Sequence, residues 1–235
     1  MRQEFRFKQF SLQHCEATVK LTTDSVLLGA WAGCNNPQRI LDVGTASGVI
    51  ALMLAQRFNV MVDAIDSDLE SVLLAQLNFR NSPWPHRLNA YHIAIENYKP
   101  AQKNCYDLIV CNPPFFVNSL KSQTASDQRA KHSAILSPLT VFRYILPLIS
   151  ARGFCSMIFP AGISNAVLQA SASAGFFCTA VCDIFSSAEK KAHRKLCSFS
   201  LSYQPSVRSS LIIYNSNRQY TPDFIRLTSD FYLMD

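Results

Sequence analysis

The chain has 235 residues, of which 49% are hydrophobic, and a formal net charge of +6 at pH 7. That length and apolar content suit one domain with a full core, without disulfide or metal staples. The moderate basicity permits an anionic partner such as nucleic acid without demanding one, and no run approaches the ~20 apolar residues of a membrane span.

The opening residues Met1 to Lys8 alternate charge with aromatics and lack the apolar stretch of a secretion signal. Eight cysteines, Cys15, Cys34, Cys105, Cys111, Cys155, Cys178, Cys182 and Cys197, form neither Cys-x-x-Cys nor a zinc-type Cys/His spacing. They read as reduced, mostly buried thiols of a soluble cytoplasmic protein that holds no metal. A monomer is the favoured state.

Residues 1–20 read as a short antiparallel ribbon, with Phe5, Phe7 and Phe10 alternating with Arg6 and Lys8 and with Ser11-Leu12 and Thr18-Val19-Lys20 able to pair back. Thr22-Thr23-Asp24 caps an apolar helix over 25–32, ended near Gly33. Residues 39–43 form a strand that runs into Gly44-Thr45-Ala46-Ser47-Gly48 and a helix over 49–58. Strand 60–65, helix 68–81 and strand 88–93 follow, the helix stopped by Ser82-Pro83-Trp84-Pro85. Strand 108–111 ends at Asn112-Pro113-Pro114-Phe115, since each proline forces an extended residue before it and lacks an N–H. A long polar loop over 117–137 leads to helix 139–149, strand 153–159 and helix 163–174. Strands 177–185 and 196–203 are joined by a basic loop over 186–195, and the tail suggests one more strand and a short helix. The pattern implies an α/β domain over residues 1–235, with a mostly parallel, doubly wound seven-stranded sheet and an antiparallel C-terminal hairpin. There are no internal repeats or linkers.

Three motifs carry chemistry. Gly44 and Gly48 permit a tight turn and close backbone approach to a ligand. Asp66, about 20 residues on, ends the second strand, where a carboxylate can hold a ribose diol or cap the next helix. Asn112-Pro113-Pro114-Phe115 places an amide, a carbonyl and an aromatic ring at a strand tip. The Asn112 oxygen and the Pro113 carbonyl can each accept one N–H of an exocyclic amine. That favours a pyramidal nitrogen with a free lone pair, poised for in-line attack on a sulfonium methyl, while Phe115 stacks on the base. A dinucleotide-dependent dehydrogenase has no use for this set.

With these residues in place the chain resembles the class I S-adenosylmethionine-dependent amino methyltransferases, whose fold is Rossmann-like. It is most similar to the bacterial valine-tRNA adenine-37 N6-methyltransferases. The resemblance rests on Phe7-Lys8-Gln9-Phe10, the block from Lys20 to Trp31, Ile40 to Thr45, Gln76-Leu77-Asn78 with Ser82-Pro83-Trp84, Asn112 to Phe116, and Arg129-Ala130-Lys131-His132. It implies S-adenosylmethionine as methyl donor and tRNA as partner. It places Lys20, Thr23 and Asp24 over the methionine moiety, and residues 1–33 as a cover on the cofactor site. Asp42, Gly44, Thr45, Ser47 and Gly48 would form the floor, Asp66 and Ser67 the ribose contact, and Ala94 and Ile95 the edge of the cofactor's adenine. Asn112, bordering the cofactor, would hold the target adenine with Pro113, Pro114 and Phe115. Two departures matter. Ala46 replaces a common glycine, which a negative φ would tolerate. Ala94 replaces a common aspartate, for which Glu96 could substitute.

Basic loop residues form the expected RNA contacts: Lys8, Lys121, Arg129, Lys131, His132, Lys190, Lys191, Arg194 and Lys195. Three rival readings are a DNA adenine N6-methyltransferase, a release-factor glutamine N5-methyltransferase, and a cofactor-binding protein without catalysis. The first lacks room for a target-recognition region and the second lacks its helical N-terminal domain.

Overall fold

The structure is a computed structural model and describes residues 2–15, 21–113 and 136–233. An antiparallel ribbon, β1 (Arg2–Arg6) and β2 (Ser11–Cys15), precedes helix α1 (Thr23–Trp31). The domain continues as β3 (Arg39–Val43), α2 (Val49–Arg57), β4 (Met61–Asp66), α3 (Leu69–Arg80), β5 (Leu88–His92) and β6 (Tyr106–Cys111). Then come α4 (Pro138–Ile145), β7 (Ile149–Pro160), α5 (Ser164–Ser173), β8 (Phe177–Phe185), β9 (Arg194–Ser200), β10 (Val207–Ile212) and α6 (Pro222–Thr228).

The main sheet has the order β10-β8-β9-β7-β6-β3-β4-β5. Every pairing is parallel except the two made by β9, which is antiparallel to both β7 and β8. Side chains alternate across it as the pleat requires. Ile40, Leu108, Val110, Ile158 and Leu196 face one core with α1, α2, α3 and α6. Their chain neighbours Leu41, Ile109, Cys111, Phe159 and Cys197 face the other, with α4 and α5.

The sheet has eight strands where seven were expected from the pattern. The additional one, β10, lies at the sheet edge, and its first four residues are solvent-exposed, so Val207 to Ser210 carry almost no apolar alternation. Strand β7 begins at Ile149, inside the expected helix, because that residue pairs with Tyr106 before a register shift. Cys34, Cys105, Cys111, Cys155, Cys178, Cys182 and Cys197 are free thiols. Among the described residues no helix is long and apolar enough to cross a membrane.

The ribbon is fastened to the domain by a backbone bond from Lys8 N–H to the Phe231 carbonyl at 2.8 Å, by aromatic packing and by one buried amide. Phe7 stacks on Phe10 and on Tyr232 near the C-terminus, and Phe10 meets Trp84 edge-on. Asn78 of α3, only 1% exposed, spends its whole amide on this junction. Its oxygen accepts the Gln13 N–H at 2.9 Å, and its nitrogen donates to the Gln13 carbonyl at 3.0 Å and the Ser47 carbonyl at 2.8 Å. Asn78→Ala removes the partner of three backbone groups, one on buried Ser47 and two on half-buried Gln13, an expected loss of about 2 kcal/mol. A denaturant melt reads the loss, and hydrogen exchange at the Gln13 amide should accelerate with it. Unchanged exchange at Gln13 would show that the ribbon is held without the Asn78 amide.

Candidate active site

The site lies where β3, β4, β5 and β6 end, at the C-terminal edge of the parallel strands, the usual ligand edge of an open α/β sheet. Between β3 and α2 the chain turns through three left-handed residues, Gly44 at φ +74°, Ala46 at φ +50° and Gly48 at φ +85°. The Ile65 carbonyl accepts the N–H groups of Gly44 and Thr45 at 2.9 and 3.1 Å, and the Thr45 carbonyl accepts Gly48 N–H at 2.8 Å. A side chain at Gly48 would put its Cβ 2.5 Å from the Phe79 ring, so glycine is what lets α3 pack against the turn. At Gly44 an added Cβ would meet nothing within 4 Å, and the backbone is exposed there, open to a ligand. Ala46 does not have the negative φ expected of it. Its methyl stands in the left-handed region at a cost of order 1 kcal/mol, and Asp66 Oδ2 holds the conformation by accepting the Ala46 N–H at 2.9 Å.

Two carboxylates flank the turn. Asp66 Oδ1 accepts the Asp68 N–H at 3.0 Å. Burial pushes the Asp66 carboxyl up, and the Asp68 and Ala46 N–H groups oppose it. The cap of α3 is Asp68, which accepts from Ser71 N–H at 2.9 Å, so Asp66 is not spent as a helix cap. Its oxygens each have a second lone pair for a ligand. Asp42 is fully buried. Its Oδ2 accepts the Thr45 hydroxyl at 2.7 Å, while Oδ1 has no hydrogen-bond partner. Burial pushes this acid up to about 7, with the Thr45 hydroxyl and more weakly the Ala51 N–H working the other way. An orphaned buried carboxylate oxygen beside an open glycine turn fits a cationic ligand group.

Opposite the turn, β6 delivers Asn112. Its Nδ2 donates to Ser25 Oγ at 3.2 Å, and that oxygen lies 3.1 Å from Thr22 Oγ1, the cap of α1. The amide group is planar, so the same contact turns Asn112 Oδ1 away from α1. Asp24, one residue earlier, accepts from Arg194 Nε at 2.7 Å. Thr23 and Ser67 are exposed, and His92 Nε2 lies 3.1 Å from the Ser67 carbonyl. Ala94 is half-buried and Ile95 is buried just past β5, while Glu96 is exposed. Among the described residues no cluster of three or more His, Cys, Asp or Glu could hold a metal.

Thus Asp42, Gly44, Thr45, Ser47, Gly48, Asp66 and Asn112 come together around one edge. Lys20, Pro114, Phe115, Lys121, Arg129, Lys131 and His132 lie outside the described residues. Lys8, Lys190 and Lys191 are exposed cations. Arg194 and Lys195 stand on β9 rather than in the loop before it, and face Asp24 and Asp183 respectively. Ser25 and Asn78 are site-building residues absent from the sequence candidates. Both stand in stretches that carry the family resemblance, Asn78 in Gln76-Leu77-Asn78 and Ser25 in the block from Lys20 to Trp31.

The methyltransferase small domain family model matches residues 22–135. The tRNA1(Val) (adenine(37)-N6)-methyltransferase of Pasteurella multocida is 38% identical over 97% of this chain and 96% of its own length. The protein of the same description from Salmonella enteritidis is 36% identical over 99% of this chain and 96% of its own. Among solved structures, a predicted O-methyltransferase from Agrobacterium tumefaciens superposes with a TM-score of 0.71 at 17% identity, covering 88% of this chain and 96% of that one.

The raised pKa of Asp42 has a stability consequence. Its folded value of about 7 lies above its unfolded value near 3.8, so the folded state binds the proton more tightly. The penalty is absent below the unfolded value, grows as pH rises between the two and is complete above about 7. Asp42→Asn keeps an acceptor for Thr45 and removes the charge. The variant should gain on the order of 2–4 kcal/mol relative to the wild type between pH 4 and pH 8. Thermal melts at the two pH values measure it, and a pH-independent difference would contradict the assignment.

Proposed function

The chain belongs to the tRNA1(Val) (adenine(37)-N6)-methyltransferase family, and from that premise we propose that it methylates N6 of the adenine at position 37 of valine tRNA, in the cytoplasm, with S-adenosylmethionine as donor. When bound, S-adenosylmethionine supplies a methyl carbon on a sulfonium, which bonds to the N6 lone pair as the carbon–sulfur bond breaks.

The residues present suit that donor. Asp42 Oδ1, buried and without a partner, accepts its ammonium group. The open face of Gly44 admits the methionine moiety against the backbone, with Thr45, Ser47 and Gly48 completing the floor. Asp66, held by two backbone N–H groups, turns its remaining lone pairs to the ribose diol, beside Ser67. Ala94 and Ile95 border the adenine ring. Ala94 brings no carboxylate, and that contact falls to Glu96. Lys20, Thr23 and Asp24 close over the methionine end, with Asp24 shared with Arg194.

The observation that carries the reading is the direction of the Asn112 amide. Ser25 occupies its nitrogen, which leaves its oxygen as the acceptor for one N6 hydrogen. The Pro113 carbonyl takes the other, and Pro114 and Phe115 complete the motif, with Phe115 the ring for the base to stack on. Two acceptors draw the amine out of conjugation with the ring. The product ammonium is acidic enough to lose its proton to water, so no strong base is required. Adenine 37 lies in an anticodon loop, where a base is extracted more cheaply than from a duplex. The exposed Lys8, Lys190 and Lys191, with Lys121, Arg129, Lys131, His132, Arg194 and Lys195, supply the phosphate contacts.

Asn112→Ala tests the reading. Methyl transfer to total tRNA should fall about 100-fold or more while S-adenosylmethionine affinity stays within about two-fold. Tritiated methyl transfer with nucleoside mass spectrometry reads the first and calorimetry the second. Transfer at the wild-type rate would remove Asn112 from the chemistry.

A further inference from the structure

Past β10 the chain makes a small, well-built hairpin. Tyr214 and Tyr220 face each other across an isolated antiparallel bridge. Asn215 Oδ1 accepts the N–H groups of Asn217 and Gln219 at 2.9 and 3.0 Å, and Arg218 takes the left-handed conformation at φ +60° that closes the turn. The two tyrosine rings stack at 5.2 Å with planes 20° apart, and Tyr220 stacks in turn on Phe224 at 4.4 Å and 20°. Phe224 is fully buried, whereas Tyr220 is 42% exposed and Tyr214 37%. The three rings form a ladder that starts in the core and ends at the surface. Among the described residues, Tyr214 stacks on no ring besides Tyr220, so its outer face ends the ladder.

Topology places this ladder at the edge that holds Asn112. Strand β10 is parallel to β8, and β8 shares the direction of β7 and β6, because β9 is antiparallel to both of its neighbours. The N–H groups of Ile213 and Tyr214 bond the Phe185 and Ser186 carbonyls at 2.8 and 3.0 Å, which seats the hairpin against the loop before β9. That loop exposes Lys190 and Lys191, with Glu189 beside them, and the hairpin exposes Arg218. The rim continues through Arg194 to Asp24 and from Ser25 to Asn112. Four strand spacings separate β10 from β6, about 19 Å, a span comparable with the width of an RNA stem.

A rigid aromatic face among cations is the pattern used to bind unpaired nucleic-acid bases: the ring stacks on any base and the cations neutralise the backbone. We propose that Tyr214, with Lys190, Lys191 and Arg218, is a second RNA contact, a platform for an unpaired base of the tRNA outside the pocket that takes the target adenine. The proposal rests on the function given above, and the hairpin is not part of the catalytic geometry. Its role is affinity and orientation of the substrate loop.

Binding of unmodified valine tRNA to the full-length protein, followed by fluorescence anisotropy at several salt concentrations, tests it. Tyr214→Ala should weaken binding about 5- to 100-fold, and Tyr214→Phe should restore it, since stacking needs the ring and not the hydroxyl. Lys190→Gln with Lys191→Gln, which touches no packed ring, should flatten the dependence of log K on log salt by about 0.7 to 0.9 for every phosphate that is no longer neutralised. S-adenosylmethionine affinity serves as the folding control. Wild-type tRNA affinity in Tyr214→Ala, or an unchanged salt slope in the lysine variant, overturns the proposal. A wild-type protein that methylates tRNA but shows these unchanged affinities overturns only this inference, whereas a wild type without tRNA methylation overturns the function as well.

Discussion

The left-handed turn between β3 and α2 is the constraint on which the rest of the site depends. Three of its five residues stand at positive φ, and one of them carries a methyl group. The turn closes because neighbours on two elements hold its backbone. Ile65 on β4 accepts two of its N–H groups, Asp66 accepts a third, and Asn78 on α3 donates to the Ser47 carbonyl. The same contacts fix the Asp66 carboxylate beside the turn, whose Gly44 face is exposed. Strain at Ala46 and an unpaired oxygen on Asp42 are both local costs, and both sit at the ligand edge. Proteins keep such costs where a surrounding structure over-determines them and function uses them.

The second half of the site is assembled across long chain separations. Ser25 and Asn112 are 87 residues apart, and Asp24 and Arg194 are 170 apart. Helix α1 is the common member. Its capped N-terminus orients the Asn112 amide on one side and pairs with β9 on the other. The Asp24–Arg194 pair is partly exposed, so it contributes little to stability. Its consequence is geometric: it ties the first turn of α1 to the first residue of β9, just past the basic loop. A charge that pairs inside the protein in this way is at most shared with a nucleic acid, which shifts the expected phosphate contacts towards Lys190 and Lys191.

Much of this was legible in the chain. Strand-turn-helix order, the glycine turn, Asp66 and Asn112 were all visible because each depends on local chemistry: positive φ, a carboxylate at a strand end, a proline stop. The further strand expected in the tail proved to be β10, whose start at Val207 and place as an eighth sheet strand escaped because its four exposed residues have no apolar alternation to read. The φ of Ala46 escaped because alanine disfavours that conformation, and only the Asp66 contact, 20 residues away, explains it. Ser25 and Asn78 escaped because a serine in a first helical turn and an asparagine in a helix are ordinary by themselves. Their partners arrive only with the tertiary fold. Arg194 and Lys195 looked like free cations because the carboxylates that face them, Asp24 and Asp183, are distant in sequence or on a neighbouring strand.

The central claim is that one amine, N6 of the adenine at position 37, is drawn into the acceptor pair at the tip of β6. The most direct measurement offers the purified protein two transcripts of the valine tRNA, one natural and one with guanine in place of that adenine, together with labelled S-adenosylmethionine. Nucleoside mass spectrometry should find N6-methyladenosine in the first and no incorporated label in the second. Equal labelling of both transcripts, or a methyl group on any other atom of adenine, would contradict the account.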